Sequence, residues 1–181
     1  MVLKYTPKSK QQIAPDFNLL DVDGQPWSLQ KAMGKNGLVV MFICNHCPYV
    51  KSIQTKLVSD VLIMQKLGVH AVAIMSNDPE DNPEDSLEQM KVVSEKYSYP
   101  FPYLLDETQQ VAKAFGAVCT PDIFGLDRYG VIQYRGRLDA AGMNDHQDLR
   151  RDLVEAMKEM VATGTIKTEQ FPSMGCSIKW K

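Results

Sequence analysis

The sequence predicts an α/β fold in which a central mixed β-sheet is flanked by helices on both faces. The continuous apolar run 38–43 and the run 69–75, which is apolar except for His70, are typical of strands that are buried on both faces of a sheet. Between them, residues 49–67 carry apolar side chains at steps of three and four, which predicts an amphipathic helix. This strand-helix-strand order favours parallel strands, whose carboxyl ends form the reactive edge of such sheets.

The other elements are predicted from turn residues, helix caps and periodicity. The loop at 76–85 contains five acidic residues and no apolar one, so we expect a solvated surface loop rather than a lid or partner surface. In chain order we predict a hairpin over 16–29 with an Asp-Gly turn, the strand 38–43, the helix 49–67, the strand 69–75, a helix over 86–97 capped by Ser86, a short strand at 103–105, a helix over 108–115, a hairpin over 123–135 and a final helix over 145–162.

Length and composition restrict the class of protein. The 181 residues are predicted to form a single domain, with a core over about 13–162 and a C-terminal tail over 163–181 that has no clear period. A formal charge of −2 gives no reason to expect binding to nucleic acid or to a membrane surface. The N-terminal residues lack the apolar region of a signal peptide, so we expect a cytoplasmic protein, although a chain whose signal had been removed would look the same.

The run Cys44-Asn45-His46-Cys47-Pro48 follows the first buried strand and precedes the first long helix. Because the positive end of a helix favours a thiolate, we expect Cys44 to be the more exposed and more acidic thiol and to attack a substrate sulfur. Cys47, expected one turn inside the helix, would then attack Cys44 and release the substrate. An imidazolium at His46 would lower the pKa of Cys44 further and make the couple more oxidising.

A Cys-x-x-Cys pair is also half of a zinc site, so metal binding is an alternative. The other two cysteines, Cys119 and Cys176, are single and distant in sequence, and no second ligand pair is present. We therefore expect no metal, and no organic cofactor because a dithiol carries two electrons itself. Cys119 and Cys176 are either accessory redox thiols or buried small residues. Lys51, one turn beyond Cys47, either tunes the cysteines or is solvated.

Several motifs together resemble the thioredoxin-like superfamily, and within it the alkyl hydroperoxide reductase/thiol-specific antioxidant (redoxin) branch. They are Ala14-Pro15-Asp16-Phe17, the apolar strand, the Cys-x-x-Cys centre and Thr120-Pro121. The resemblance covers about 13–162 and implies a thioredoxin fold with an N-terminal β-hairpin extension. It also implies that Pro121 is cis and faces the dithiol, and that Thr120 lies beside Cys44.

The branch contains both disulfide reductases and thiol peroxidases. Peroxiredoxins carry Pro-x-x-x-Thr/Ser-x-x-Cys, but counting back from Cys44 gives Met41 and Gly37 in place of the hydroxyl residue and the proline. They also carry an arginine where this chain has its Thr-Pro pair, and Arg135 and Arg137 cannot be placed from sequence. We therefore predict a thiol–disulfide oxidoreductase that acts with a protein or small-molecule disulfide or thiol and a thiol reductant. A thiol peroxidase with Cys44 as the peroxidatic cysteine and a non-catalytic binding module are the alternatives.

Overall fold

The structure is a computed structural model, and it describes residues 2–8, 11–80, 82–143 and 150–181. Its strands form one large mixed sheet and one small sheet. The strands are β1 (Leu3–Tyr5), β2 (Asn18–Asp21), β3 (Pro26–Ser28), β4 (Gly37–Phe42), β5 (Val69–Met75), β6 (Tyr103–Leu105), β7 (Cys119–Thr120), β8 (Asp122–Asp127), β9 (Ile132–Gly136) and β10 (Met174–Ser177). The helices are α1 (Leu29–Ala32), α2 (Pro48–Lys66), α3 (Leu87–Lys96), α4 (Gln110–Phe115) and α5 (Asp152–Thr163).

The large sheet confirms the predicted mixed arrangement. Its strand order is β3-β2-β6-β5-β4-β8-β9. The neighbours β4, β5 and β6 are parallel, whereas β2, β8 and β9 pair antiparallel with their neighbours. The predicted N-terminal hairpin is β2-β3 at one edge, and the later hairpin is β8-β9 at the other.

Helices cover both faces of this sheet, because alternate residues of each strand point to opposite sides. On one face, Val39 and Met41 belong to a buried cluster that includes residues of α2, α3 and α5. On the other face, Leu38 and Val40 pack in a second cluster with residues of α1 and α4. β4 is therefore buried on both sides, as its continuous apolar sequence predicts.

The final helix begins later than predicted. It was expected from residue 145, of which 145–149 lie outside the described residues, but Arg150 and Arg151 are not helical and α5 begins at Asp152. The buried carboxylate of Asp152 accepts hydrogen bonds from Nε of Arg137 and of Arg150, each at 2.7 Å. An acidic residue is favourable in the first turn of a helix, which explains why Asp152 begins this one.

The C-terminal tail, for which the sequence shows no period, contains a strand. β10 lies between β1 and β7 in the small sheet and is antiparallel to both. The register sets Cys176 opposite Thr120, which brings the tail to the predicted Thr-Pro loop. Among the described residues, no helix is long and apolar enough to cross a membrane.

Candidate active site

The cysteine loop lies at the carboxyl end of β4, where β4 leads into α2. The helix begins at Pro48, which suits a first helical position because proline has no N–H to lose there. Cys47 is consequently the N-cap residue, and Cys44 lies three residues outside the helix. The expectation that Cys44 stands at the helix start with Cys47 one turn inside is therefore wrong by about one turn.

The Thr120-Pro121 peptide bond is cis and faces both cysteines, as the resemblance implies. Oγ1 of Thr120 lies 3.2 Å from Sγ of Cys44, and the carbonyl oxygen of Thr120 lies 3.1 Å from Sγ of Cys47. Both sulfurs are almost completely enclosed, since Cys44 is 1% exposed and Cys47 is 0% exposed. Cys44 was expected to be the more exposed thiol of the pair, but its side chain is enclosed almost as completely as that of Cys47.

A third thiol contacts this pair. Sγ of Cys176 lies 2.8 Å from Sγ of Cys47, and the Cys176 side chain is buried. Gly175 lets β10 approach the Thr-Pro loop closely, because a Cβ atom added there would lie 2.0 Å from the carbonyl oxygen of Thr120. Cys176 is therefore buried, which is one of the two alternatives that the sequence left open, but it packs against the dithiol itself.

The surroundings of the two thiols shift their pKa values in opposite directions and favour a thiolate on Cys47 over one on Cys44. Burial raises the pKa of Cys44 well above its ordinary value, and the hydrogen bond it shares with Cys47 and the nearby carboxylate of Asp85 raise it further. The hydrogen bond from Cys44 lowers the pKa of Cys47 to about 5 against the opposing effect of burial, with a smaller contribution from Cys176. The expected order of acidity is therefore reversed.

Asp85 binds the backbone of the cysteine loop. Its side chain is buried, so the prediction that 76–85 is an ordinary solvated loop is wrong at this residue. One of its oxygens accepts the backbone N–H groups of Asn45 at 2.8 Å and His46 at 3.1 Å. The other is 2.6 Å from Nδ1 of His46 and accepts a hydrogen bond from Nδ2 of Asn77 at 2.9 Å. Burial alone would raise the pKa of Asp85, but the hydrogen bonds from His46 and Asn77 bring it below its ordinary value. His46 is thus paired with a buried carboxylate.

Further polar contacts fix the loop from both sides. The hydroxyl of Tyr103 donates to Oδ1 of Asn45 at 3.1 Å, and Nδ2 of Asn45 donates to the carbonyl oxygen of Glu84 at 2.7 Å. Lys51 forms an exposed ion pair with Glu84 at 2.8 Å, so its ammonium group binds the acidic loop instead of a cysteine. The sequence reasoning missed Asp85, Asn77 and Tyr103. The position of 76–85 directly after β5, a parallel neighbour of β4, was the available signal.

Three groups are close enough together to be considered as metal ligands. One ligand atom each from Cys44, His46 and Asp85 lie within 4.8 Å of one another. However, the two oxygens of Asp85 already accept four N–H groups, which fills the lone-pair positions of a carboxylate. An ion would have to displace the hydrogen bond between His46 and Asp85. The described contacts therefore fit a hydrogen-bonded loop better than a preformed metal site.

The other candidate residues are engaged elsewhere. Sγ of Cys119 contacts the carbonyl oxygen of Pro121 at 3.5 Å, and burial raises the pKa of Cys119 far above its ordinary value. Arg135 forms a buried ion pair with Asp122 at 2.7 Å, and Arg137 pairs with Asp152. Both guanidinium groups that the sequence left unplaced are thus occupied by carboxylates.

A surface cavity of about 330 Å³ lies next to the cis-proline. Its lining includes Tyr49 of α2, Pro121 and Met174 of β10 but none of the four cysteines. It therefore borders the redox loop without giving direct access to a sulfur.

A mixed sheet with helices on both faces, a Cys-x-x-Cys loop at a helix N-terminus and a facing cis-proline define a thioredoxin-fold redox protein. Residues 11–135 match the sequence model of the AhpC/TSA family, and the chain belongs to that family. This confirms the resemblance that the sequence motifs indicated.

Comparison with curated proteins gives relatives of two kinds. A "Peroxiredoxin Q, chloroplastic" from Populus jackii is 29% identical over 69% of this chain and 58% of its own length. A "Thiol-disulfide oxidoreductase ResA" from Geobacillus thermodenitrificans is 29% identical over 66% of this chain and 64% of its own. A "Thioredoxin-like protein YneN" from Bacillus subtilis is 32% identical over 67% of this chain and 68% of its own. The chain thus spans less than two thirds of the length of several of these relatives.

Among solved structures, the similarity extends over the whole chain. An uncharacterized conserved protein from Geobacillus kaustophilus is 43% identical with a TM-score of 0.93, covering 100% of this chain and 97% of its own. A hypothetical protein from Sinorhizobium meliloti is 37% identical with a TM-score of 0.92, covering 98% and 97%. The thioredoxin domain of a thiol-disulfide oxidoreductase from Bacteroides vulgatus, at 18% identity and a TM-score of 0.65 over 84% and 98%, shows the shared fold.

Proposed function

We propose that this protein is a thiol–disulfide oxidoreductase whose Cys44 and Cys47 interconvert between a dithiol and a disulfide. One observation carries the proposal: both sulfurs lie against the Thr120-cis-Pro121 peptide, with Sγ of Cys44 3.2 Å from the Thr120 hydroxyl and Sγ of Cys47 3.1 Å from the Thr120 carbonyl oxygen. The lowered pKa of Cys47 supports it. A low-pKa thiolate next to a second thiol is the arrangement that thiol–disulfide exchange needs.

The charge distribution supports a role for Cys47 in both steps. When Cys44 attacks one sulfur of a substrate disulfide, the Cys47 thiolate takes the proton from Cys44, and the other substrate sulfur leaves as a thiolate. Cys47 then gives its proton to the substrate thiolate that has left and attacks Sγ of Cys44. The second substrate sulfur leaves as a thiolate, and the Cys44–Cys47 disulfide is formed. Two electrons pass to the substrate, and a thiol reductant restores the dithiol. His46 and Asp85 position the loop throughout.

The enclosure of Cys44 limits the form in which a substrate can react. With 1% of Cys44 exposed, a protein disulfide reaches its sulfur only when a neighbouring segment of the chain moves aside. In thioredoxin-like proteins an extended substrate can pair with backbone groups beside the cis-proline, and here β10 pairs with Thr120. A small disulfide needs a smaller opening, so we propose small disulfides as the better substrates of the closed form.

The proposal is tested by catalysed reduction of cystamine, a small basic disulfide, and of insulin, together with the reduction potential of the couple in glutathione buffers. Cys44→Ser should reduce the exchange rate to background, and Cys47→Ser should retain the substrate as a mixed disulfide on Cys44. Cys119→Ser is the matched control, because its buried thiol contacts Pro121 and should leave the rate unchanged. A wild-type rate equal to that of a simple free dithiol would refute the proposal and favour a non-catalytic binding module.

Thiol peroxidase activity is the second candidate. It is favoured by the peroxiredoxin Q relatives and by the Thr120 hydroxyl 3.2 Å from Sγ of Cys44, since a peroxide is small enough for an enclosed sulfur. Against it, Arg135 and Arg137 are paired with carboxylates. Rapid oxidation of Cys44 by hydrogen peroxide would support this candidate, and a rate no greater than that of a free thiol would exclude it.

The cytoplasmic location stays a prediction that subcellular fractionation tests.

A further inference from the structure

We propose that Cys176 is a third redox thiol, which exchanges with the Cys44–Cys47 disulfide to form a Cys47–Cys176 disulfide within the same chain. The inference rests on the proposed dithiol chemistry and extends it to a residue of the C-terminal strand. It makes Cys47 the central sulfur of three, with Cys44 on the substrate side and Cys176 on the strand side.

The geometry that carries the proposal is the contact between the two buried sulfurs. Sγ of Cys176 lies 2.8 Å from Sγ of Cys47, while Cys47 also shares a hydrogen bond with Cys44. A disulfide requires two sulfurs about 2.05 Å apart, so Cys47 and Cys176 need to move by less than 1 Å toward each other.

The strand that carries Cys176 is held in register on both sides. Cys176 pairs with Leu3 of β1 and with Thr120 of β7, the residue that contacts both cysteines of the loop. The carbonyl oxygen of Thr120 lies where any side chain on Gly175 would point, so β10 cannot lie this close with a larger residue there. The contact between the two sulfurs is therefore fixed by backbone pairing rather than by a mobile tail.

The exchange step conserves electrons. The Cys176 thiol loses its proton, and its sulfur attacks Sγ of Cys47 in the Cys44–Cys47 disulfide. The bond between Cys44 and Cys47 breaks, and Cys44 leaves as a thiolate that takes up a proton. In the dithiol state burial and the hydrogen bond to Cys47 raise the pKa of Cys176 to about 12. Once Cys47 is part of a disulfide it no longer carries a charge, so that its share of this increase disappears.

Such an exchange would return Cys44 to its thiol form while the oxidised state is kept on two buried sulfurs. Cys44 could then react with a second substrate sulfur before the reductant arrives. Cys119 is not placed to act as this third thiol, since its sulfur contacts the carbonyl oxygen of Pro121.

Peptide mapping distinguishes the two disulfides, because trypsin leaves Cys44 and Cys47 together in peptide 36–51 and Cys176 in peptide 168–179. The protein is oxidised with diamide, which takes up two hydrogen atoms as two thiols become a disulfide, and free thiols are then alkylated in acid. In the wild type we expect both the internal disulfide of 36–51 and a disulfide that links 36–51 to 168–179. In Cys44→Ser, where only Cys47 remains in the first peptide, the linked form should be found in the majority of chains.

Three further variants complete the test. Cys176→Ser should form only the internal disulfide, and its oxidation equilibrium with glutathione should fall by about twofold if the two disulfides of the wild type are equally populated. Gly175→Ala should decrease the linked form several-fold while the internal disulfide persists. Cys119→Ser should give the wild-type pattern. Circular dichroism of each variant verifies folding.

The absence of linked peptides from both the wild type and Cys44→Ser would overturn the inference, even if disulfide exchange by Cys44 and Cys47 is normal. Conversely, the wild type could lack exchange activity while Cys44→Ser still gives the linked peptides. That result would support the pairing of Cys47 with Cys176 and refute the proposed function.

Discussion

The substitution Asp85→Asn tests the most connected polar residue of the site. Asp85 is completely buried and accepts four N–H groups. An asparagine of the same shape has one acceptor oxygen and one NH2 group in place of the two carboxylate oxygens. Nδ2 of Asn77 is then left facing an NH2 group, and Asn77 cannot rotate freely because its Oδ1 accepts the backbone N–H of Lys179 at 2.9 Å.

One buried donor without a partner costs about 1–3 kcal/mol, and we expect a loss of that size in the free energy of unfolding. Removing the buried charge does not offset this loss of stability. The pKa of Asp85 lies below its ordinary value in spite of burial, which means that its hydrogen bonds outweigh the cost of desolvating the carboxylate. The same change removes a negative charge that raises the pKa of Cys44, so the pKa of that thiol should fall.

Urea unfolding of the reduced protein at neutral pH measures the first effect, with Glu84→Gln as a control. The neighbouring Glu84 carboxylate is exposed and its ion pair with Lys51 contributes little, so the control should remain within about 0.5 kcal/mol of the wild type. Since the folded pKa of Asp85 lies below 3.8, its contribution is present above about pH 4 and is lost as pH falls through the folded value. An Asp85→Asn protein as stable as the control at neutral pH would refute the reasoning.

Three more outcomes follow from the described contacts. Ultraviolet thiolate absorbance of the reduced wild type should titrate with a midpoint near pH 5 that Cys47→Ser lacks; a first midpoint close to that of a free cysteine would contradict the assigned charge on Cys47. Arg135→Met leaves the buried Asp122 carboxylate without its ion-pair partner and should lower the free energy of unfolding by about 3–5 kcal/mol. The control Arg128→Met, at the surface, should change it little, and equal stabilities of the two variants would contradict this prediction. Burial raises the pKa of Asp60 to about 6 from 3.8, so the folded state binds this proton more tightly than the unfolded state. The free energy of unfolding of the wild type, relative to that of Asp60→Asn, should therefore fall as pH rises from about 4 to 6. If urea unfolding gives the same difference at both pH values, this reasoning is wrong.

The sequence predicts the central part of this molecule well because its signals are local. The apolar run of β4 and the periodic stripe of α2 each depend on residues that are close together in the chain. That the Thr-Pro loop meets the Cys-x-x-Cys loop was implied by the family resemblance instead.

The features that sequence reasoning missed depend on partners far away in the chain. β7 and β10 are two and four residues long, too short for a periodic signal, and they form because they pair with each other. The acidity of Cys47 depends on Cys44, Cys176 and the position of the helix start, and that of Cys44 on Asp85. Helix polarity alone predicted the opposite order, because it places the charge without regard to buried neighbours.

If the protein exchanges disulfides as proposed, the loop between the cysteines affects which substrates can approach them. The backbone N–H groups of Asn45 and His46 converge on a single oxygen, and two consecutive amides of this kind form a small cradle for anions. The protein fills this cradle with its own carboxylate, Asp85, so a phosphate or carboxylate on a substrate finds neither free amides nor a favourable charge there. Acidic groups next to the reacting sulfur should therefore be selected against, and neutral or basic disulfides should be preferred.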